Sequence, residues 1–149
     1  MSGIWRLDSG FPLTLTMEGG ASLPTYGPQR PNLTGTPVRN SGPDWMANYF
    51  ANPEVLVQPD RYAVGNAPRA LPWVRTPGMR NATLSVFKDF PITKLREGAH
   101  LQIRVEGFNA LNHPQFGGPQ TTLGGGSFGV VSSTVNSPRE LQLGAKLYW

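Results

Sequence analysis

The chain has no cysteine, which excludes a disulfide framework and any thiolate-ligated metal. No apolar run approaches the roughly 18 residues of a spanning helix. Any passage through a membrane must then be made by strands, whose backbone groups satisfy one another. Met1-Ser2-Gly3 leads straight into Ile4-Trp5-Arg6-Leu7, without the basic, apolar and small-residue segments of a signal peptide. An exported chain that starts in this way is expected to have an N-terminal part elsewhere. Runs of one charge are also missing: 13 Lys and Arg against 9 Asp and Glu give +4, scattered from Arg6 to Lys146. Such scatter reads as a solvated surface, not as a nucleic-acid footprint. His100 and His113 lack paired-ligand spacing, and Gly124-Gly125-Gly126 lacks the Lys and Ser/Thr of a phosphate loop. The carboxylates form no obvious acid–base pair. The expectation is therefore no enzyme, no cofactor and no metal site.

Hydrophobic residues reach 38%, while Gly 18 and Pro 15 fill more than a fifth of the 149 residues, so a large dry core is hard to build. The apolar residues that exist are ordered with period two. Leu141, Leu143, Ala145, Leu147 and Trp149 alternate with Glu140, Gln142, Gly144, Lys146 and Tyr148, the signature of a strand with one apolar face. Leu101, Ile103 and Val105 oppose Gln102, Arg104, Glu106 and Phe108 in the same way. A third stretch sets Ala82, Leu84 and Val86 against Thr83, Ser85 and Phe87, with Lys88 placed to snorkel. Near the start, Trp5, Leu7, Phe11, Leu13 and Leu15 share a parity that Gly10 and Pro12 interrupt. These patterns predict strands at about 4–16, 81–91, 99–111 and 139–149.

Residues of about 18–80 form a long segment dense in Pro, Gly and Asn, and a second connection covers about 114–138. Within the first, Pro43 to Phe50 predicts one short loop helix, begun by Pro43 and stopped by Asn52-Pro53. A structureless stretch of that length inside a compact domain argues for a functional surface loop. Its aromatics Tyr26, Trp45, Tyr49, Phe50, Tyr62 and Trp73 are the candidate ligand-facing residues, since exposed rings stack on sugars or peptides. Packing of the loop on itself is the stronger reading, because a long loop needs a small core to be ordered. Trp5, Tyr148 and Trp149, near strand ends, read as interfacial anchors more than as simple β-formers.

About four strands cannot close a barrel, and an open sheet exposes two edges and an apolar face. A larger sheet must complete them. A transmembrane β-barrel accounts for the whole pattern: alternating strands, short turns on one side, long loops on the other, and interfacial aromatics. The fold class is therefore all-β, with antiparallel strands forming the C-terminal segment of a large barrel. Leu101, Ile103, Val105, Leu141, Leu143 and Leu147 would face outer-membrane lipid. If the chain ends on the periplasmic side, Ile92 to Gly98 is a periplasmic turn and both long segments are extracellular.

Specific residues then resemble a family. The ending Gln142-Leu-Gly-Ala-Lys-Leu-Tyr-Trp149 is similar to the C-terminal signal read by the barrel-assembly machinery, carried here by Gln142, Gly144, Leu147 and Trp149. Phe108-Asn-Ala-Leu-Asn-His-Pro-Gln-Phe-Gly117 resembles a motif on the penultimate strand of Oar-like TonB-dependent receptors, with Ala110 and Leu111 where Leu and Phe are usual. Ser9-Gly-Phe-Pro12, Gln29-Arg-Pro-Asn-Leu33, Gly65-Asn66, Leu84-Ser-Val-Phe-Lys-Asp-Phe90 and Asn136-Ser-Pro-Arg139 resemble the same subfamily in the same order. The resemblance implies a barrel of roughly 22 strands around an N-terminal plug, in the outer membrane of a Gram-negative bacterium. It also implies uptake of an unidentified nutrient, driven by TonB with ExbB and ExbD. Neither a plug nor a TonB box is identifiable here, so residues 1–149 would be a C-terminal fragment that depends on the plug and N-terminal barrel of the same protein. The competing class is a soluble β-sandwich for carbohydrate binding or adhesion. There the alternating faces would point into a shared core.

Overall fold

The computed structural model describes residues 1–18, 29–60, 62–94 and 96–149. The chain divides into two compact units, one of Met1–Asp8, Met79–Gln115 and Thr134–Trp149, the other of Ser9–Gly78 and Phe116–Ser133. In chain order the described strands are β1 (Ser2–Asp8), β2 (Pro12–Leu13), β3 (Thr16–Met17), β4 (Asn32–Leu33), β5 (Leu56–Val57), β6 (Leu71–Arg75), β7 (Met79–Pro91), β8 (His100–Phe108), β9 (Thr122–Leu123) and β10 (Glu140–Tyr148). The fold is all-β.

The first unit is an antiparallel sheet in the order β1-β7-β8-β10. Residues directly opposed across a ladder share a face, so the register sorts the side chains without ambiguity. Val86, Val105 and Leu143 form one transverse row, Phe90, Leu101 and Leu147 another, and Leu84, Gly107 and Leu141 a third. Trp5 joins this face opposite Ala82. On the other face, Ser85, Glu106 and Gln142 align, as do Asp89, Gln102 and Lys146. β7 and β8 are joined by a short connection closed by the Ile92 amide donating to Ala99 O at 2.8 Å. The connections from β1 to β7 and from β8 to β10 are long, and antiparallel pairing puts both at the same end of the sheet.

Beyond Phe108 the upper part of β7 loses β8 as a neighbour. The following segment takes its place: the Ala110 amide donates to Ala82 O at 2.8 Å and the Gln115 carboxamide to Arg80 O at 3.1 Å. A buried glutamine thus stands in for a strand and satisfies a carbonyl that burial would otherwise penalise.

The second unit has a core of its own, formed by Leu13, Leu15, Tyr49, Phe50, Leu56, Leu71, Val74 and Val131. Its strands are two-residue pieces apart from the five-residue β6: β2 pairs with β6, β4 with β5, and β3 with β9 in parallel. Asparagine side chains supply what long ladders would. Asn66 Oδ1 accepts from the Leu33 amide at 2.6 Å while Asn32 Oδ1 accepts from the Asn66 amide at 2.9 Å. Asn52 bridges the Val38 amide and Thr36 O, and Asn40 binds Gly42, Asp44 and Asn48. Gly65 admits no side chain, because a β-carbon there would collide with the Arg30 carbonyl.

Two expected elements differ. The strand expected at about 4–16 ends at Asp8, because Gly10 turns the chain at φ +79 and an added β-carbon would strike the Thr76 carbonyl. Beyond it, β2 and β3 belong to the second unit. The helix expected at 43–50 is a succession of turns, with Asp44 O accepting from the Ala47 and Asn48 amides. Tyr49 and Phe50 then leave helical geometry, and the Tyr49 amide bonds Gly129 O. The described helix of this region is a single 3-10 turn, Pro53–Val55. The β8 strand also stops earlier than position 111, since Asn109 takes φ 46.

Candidate functional site

Three groups of residues merit a chemical reading: the exposed apolar face, the C-terminal residues, and the aromatics of the second unit. On the first, Leu141 and Leu143 are 72% and 78% exposed, and Ile103, Val105 and Leu147 are also exposed. Leu101 is half-buried. None of the six belongs to the buried cluster. A sandwich would bury this face against a second sheet, so the soluble-sandwich reading fails on these residues. Lys88, in the row of Ile103 and Ala145, directs its ammonium over the Phe90 ring at 5.3 Å, a cation kept against an aromatic on an otherwise apolar surface.

The opposite face is wired by polar contacts. Arg104 pairs with Glu106 at 3.7 Å, and Gln102 donates to Asp89 at 2.9 Å. At the end away from the long connections, the His100 ring stacks on Tyr148 at 4.4 Å, with the Lys146 ammonium 4.5 Å from that ring. Of the C-terminal group, Gln142 and Gly144 lie on this polar face, Leu147 lies on the apolar one, and Trp149 follows the end of β10 and is exposed. Tyr148 shares the face of His100, so only Trp5 and Trp149 among the three proposed anchors have the leucine parity.

The aromatics of the second unit separate by burial. Tyr49 and Phe50 are buried core residues, which removes them from direct ligand contact. Trp45 is half-buried, edge-on to Phe116 at 5.1 Å and to Tyr49 at 6.1 Å, while Phe50 stacks on Phe128 at 5.1 Å. The Arg39 guanidinium covers Tyr49 and Trp45 at 5.2 and 5.8 Å. Burial raises the Tyr49 phenol above its ordinary pKa of 10.0, with Arg39 partly opposing the shift, and the hydroxyl donates to Arg75 O. Asn48 and Asn40 hold the Asp44 carboxyl below its ordinary 3.8. Tyr62 and Trp73 are exposed. Tyr26 lies outside the described residues.

Sequence reasoning missed what the Phe108–Gly117 and Asn136–Arg139 motifs do. The buried Asn109 accepts from the His113 amide at 3.0 Å and donates to His113 O and Ser137 O. Asn136 accepts from the Gln115 amide and donates to His113 O, and Asn112 accepts from the Arg139 amide. The two motifs form one knot that ties the exit of β8 to the approach of β10. The available signal was the pairing of αL-tolerant asparagines with prolines at 114 and 138.

Comparison with protein families matches residues 1–142 to the family described as outer membrane beta barrel domain. No curated protein and no solved structure matches the chain.

Proposed function

Because this chain belongs to the outer membrane β-barrel domain family, and so to the outer membrane of a Gram-negative bacterium, we propose that it forms the last strands of an Oar-like TonB-dependent receptor importing a nutrient. The observation that carries the reading is the inverted polarity of the sheet: leucines at 141 and 143 stand in the open while Gln102, Asp89, Arg104 and Glu106 satisfy one another on the reverse. Leu101, Ile103, Val105, Leu141, Leu143 and Leu147 then meet lipid, and the polar rows line the lumen. The second unit supplies the extracellular loops, with Tyr62 and Trp73 as its accessible rings. Gln142, Gly144, Leu147 and Trp149 serve as the signal for the assembly machinery. Energy enters through TonB, ExbB and ExbD acting on a plug.

Two measurements on the protein that carries this chain test the reading. Trp149→Ser should sharply reduce the heat-modifiable, folded band in outer-membrane fractions; an unchanged band would sink the assembly role. Growth on single nutrient sources should identify at least one whose uptake is lost on deleting either this protein or TonB. Uptake that survives without TonB would overturn the transport mechanism while leaving the barrel untouched.

A further inference from the structure

We propose that the polar face of the sheet carries a binding subsite for a short aliphatic carboxylate, centred on Arg6. The subsite deepens the uptake reading, on which it rests for the side of the membrane the ligand comes from. A pocket of about 350 Å³ lies in the first unit over β1 and β7, at the small end of ligand-site volumes. Arg6 and Asn81 are directly opposed across the ladder, and Ile4 faces Thr83 one step away. All four line the pocket, together with Met79 and Val135.

The cations on this face differ in how they are occupied. Arg104 has Glu106, and Lys146 lies over Tyr148. Asp8, the carboxylate nearest Arg6 along β1, is engaged in an interaction of its own. Among the described residues Arg6 has neither an acid nor a ring, and Asn81 and Thr83 have no side-chain hydrogen bond. By contrast, among the other lining residues the Gln115 carboxamide donates to Arg80 O, and Asn136 is held in the knot described above. What remains is a forked cation, an amide and a hydroxyl beside the apolar surfaces of Ile4, Met79 and Val135. A guanidinium offers two parallel donors to a carboxylate, the neighbouring amide and hydroxyl add neutral donors, and the apolar patch accepts a few methylenes. A single guanidinium with no ion-pair partner among the described residues suits a monoanion.

The carboxylate could belong to a solute or to a glutamate on a protein segment inside the barrel; the geometry points to a solute because apolar lining flanks the cation. The test uses the whole protein that carries this chain, in detergent micelles, with isotope-labelled methionine methyl groups assigned by single Met→Leu substitutions. Met79 reports from the pocket, and Met1, Met17 and Met46 serve as controls outside it. Titration with hexanoate should shift Met79 saturably and leave the other three unmoved. Hexanol should bind about tenfold more weakly, and Arg6→Gln should weaken hexanoate binding about tenfold, the loss expected for one charge-assisted contact. Thr83→Val should weaken it less, and an unchanged control spectrum shows that each variant is folded. An unmoved Met79, an equal response to hexanol, unaltered binding by Arg6→Gln, or movement of all four methionines together would each overturn the proposal. Tighter binding of N-acetylglutamate amide than of hexanoate would assign the site to a protein carboxylate and overturn the solute reading. Failure here is read at the methionine methyl groups of folded protein, so it is distinct from failure of membrane assembly.

Discussion

The same residue type plays opposite parts in the two units. Leu13, Leu15 and Leu71 are buried in the second unit, whereas Leu141 and Leu143 on β10 are almost fully exposed. The second unit obeys the rules of a protein in water, with a core stabilised by roughly 25 cal/mol per Å² of apolar surface removed from solvent. Among the described residues the sheet contributes none to that core, and its apolar rows stand exposed. Burial alone therefore separates the unit that hides its leucines from the sheet that displays them.

The largest effect that can sharpen this contrast is expected from Tyr49→Ala. Truncation removes a fully buried ring and leaves the Arg75 carbonyl without its donor, a loss of about 3–5 kcal/mol by comparison with other aromatic truncations. Hydrogen exchange should accelerate at the Val131 and Gly129 amides and stay unchanged at Val105 and Leu143. Equal acceleration in the sheet would break the separation of the units. A smaller effect, about 2–4 kcal/mol, is expected from Leu143→Arg if the residue lies near the bilayer midplane. Gln142→Arg, one position away on the polar face, should stay within about 0.5 kcal/mol. Denaturant titration of protein refolded into lipid vesicles measures both, and equal penalties would mean that the two faces see the same solvent. The smallest is Asn66→Ala, about 1 kcal/mol for the bonds to Leu33, read as a lowered urea midpoint of the second unit. An unchanged midpoint would show that the asparagine staples follow the loop's shape instead of fixing it.

How much was legible follows from the same contrast. Period two is a local property, so the alternation at 101–105 and 141–147 located β8 and β10 and their faces, and the register confirmed the parity. The second unit's core has no period: Leu15, Tyr49, Leu71 and Val131 come from distant segments and meet through side chains. The same holds for Asn109, Asn136 and Gln115, whose partners lie 4 to 35 residues away. The expected helix at 43–50 failed because Tyr49 and Phe50 gain more from burial than from extending the helix by two residues, and isolated helices this short are marginal in water. The expected strand at 4–16 failed at Gly10, where parity continued by coincidence into a different unit.

That turn at Gly10 also bears on the order of folding. The hairpin of β7 and β8 closes over a short connection, but β1 can meet β7 only after residues 9–78 have been brought round, and closing a large loop delays the pairing. The second unit closes its own base: Arg75 donates to Gly10 O at 3.1 and 2.7 Å, and Phe11 and Thr76 exchange bonds at 2.9 and 2.8 Å. Collapse of the loop therefore brings together the two points from which β1 and β7 diverge. A slip of one residue there would exchange Trp5 for Arg6 on the apolar face, and a clamp that ends within three residues of Asp8 and Met79, the terminal pair of that ladder, would limit such a slip.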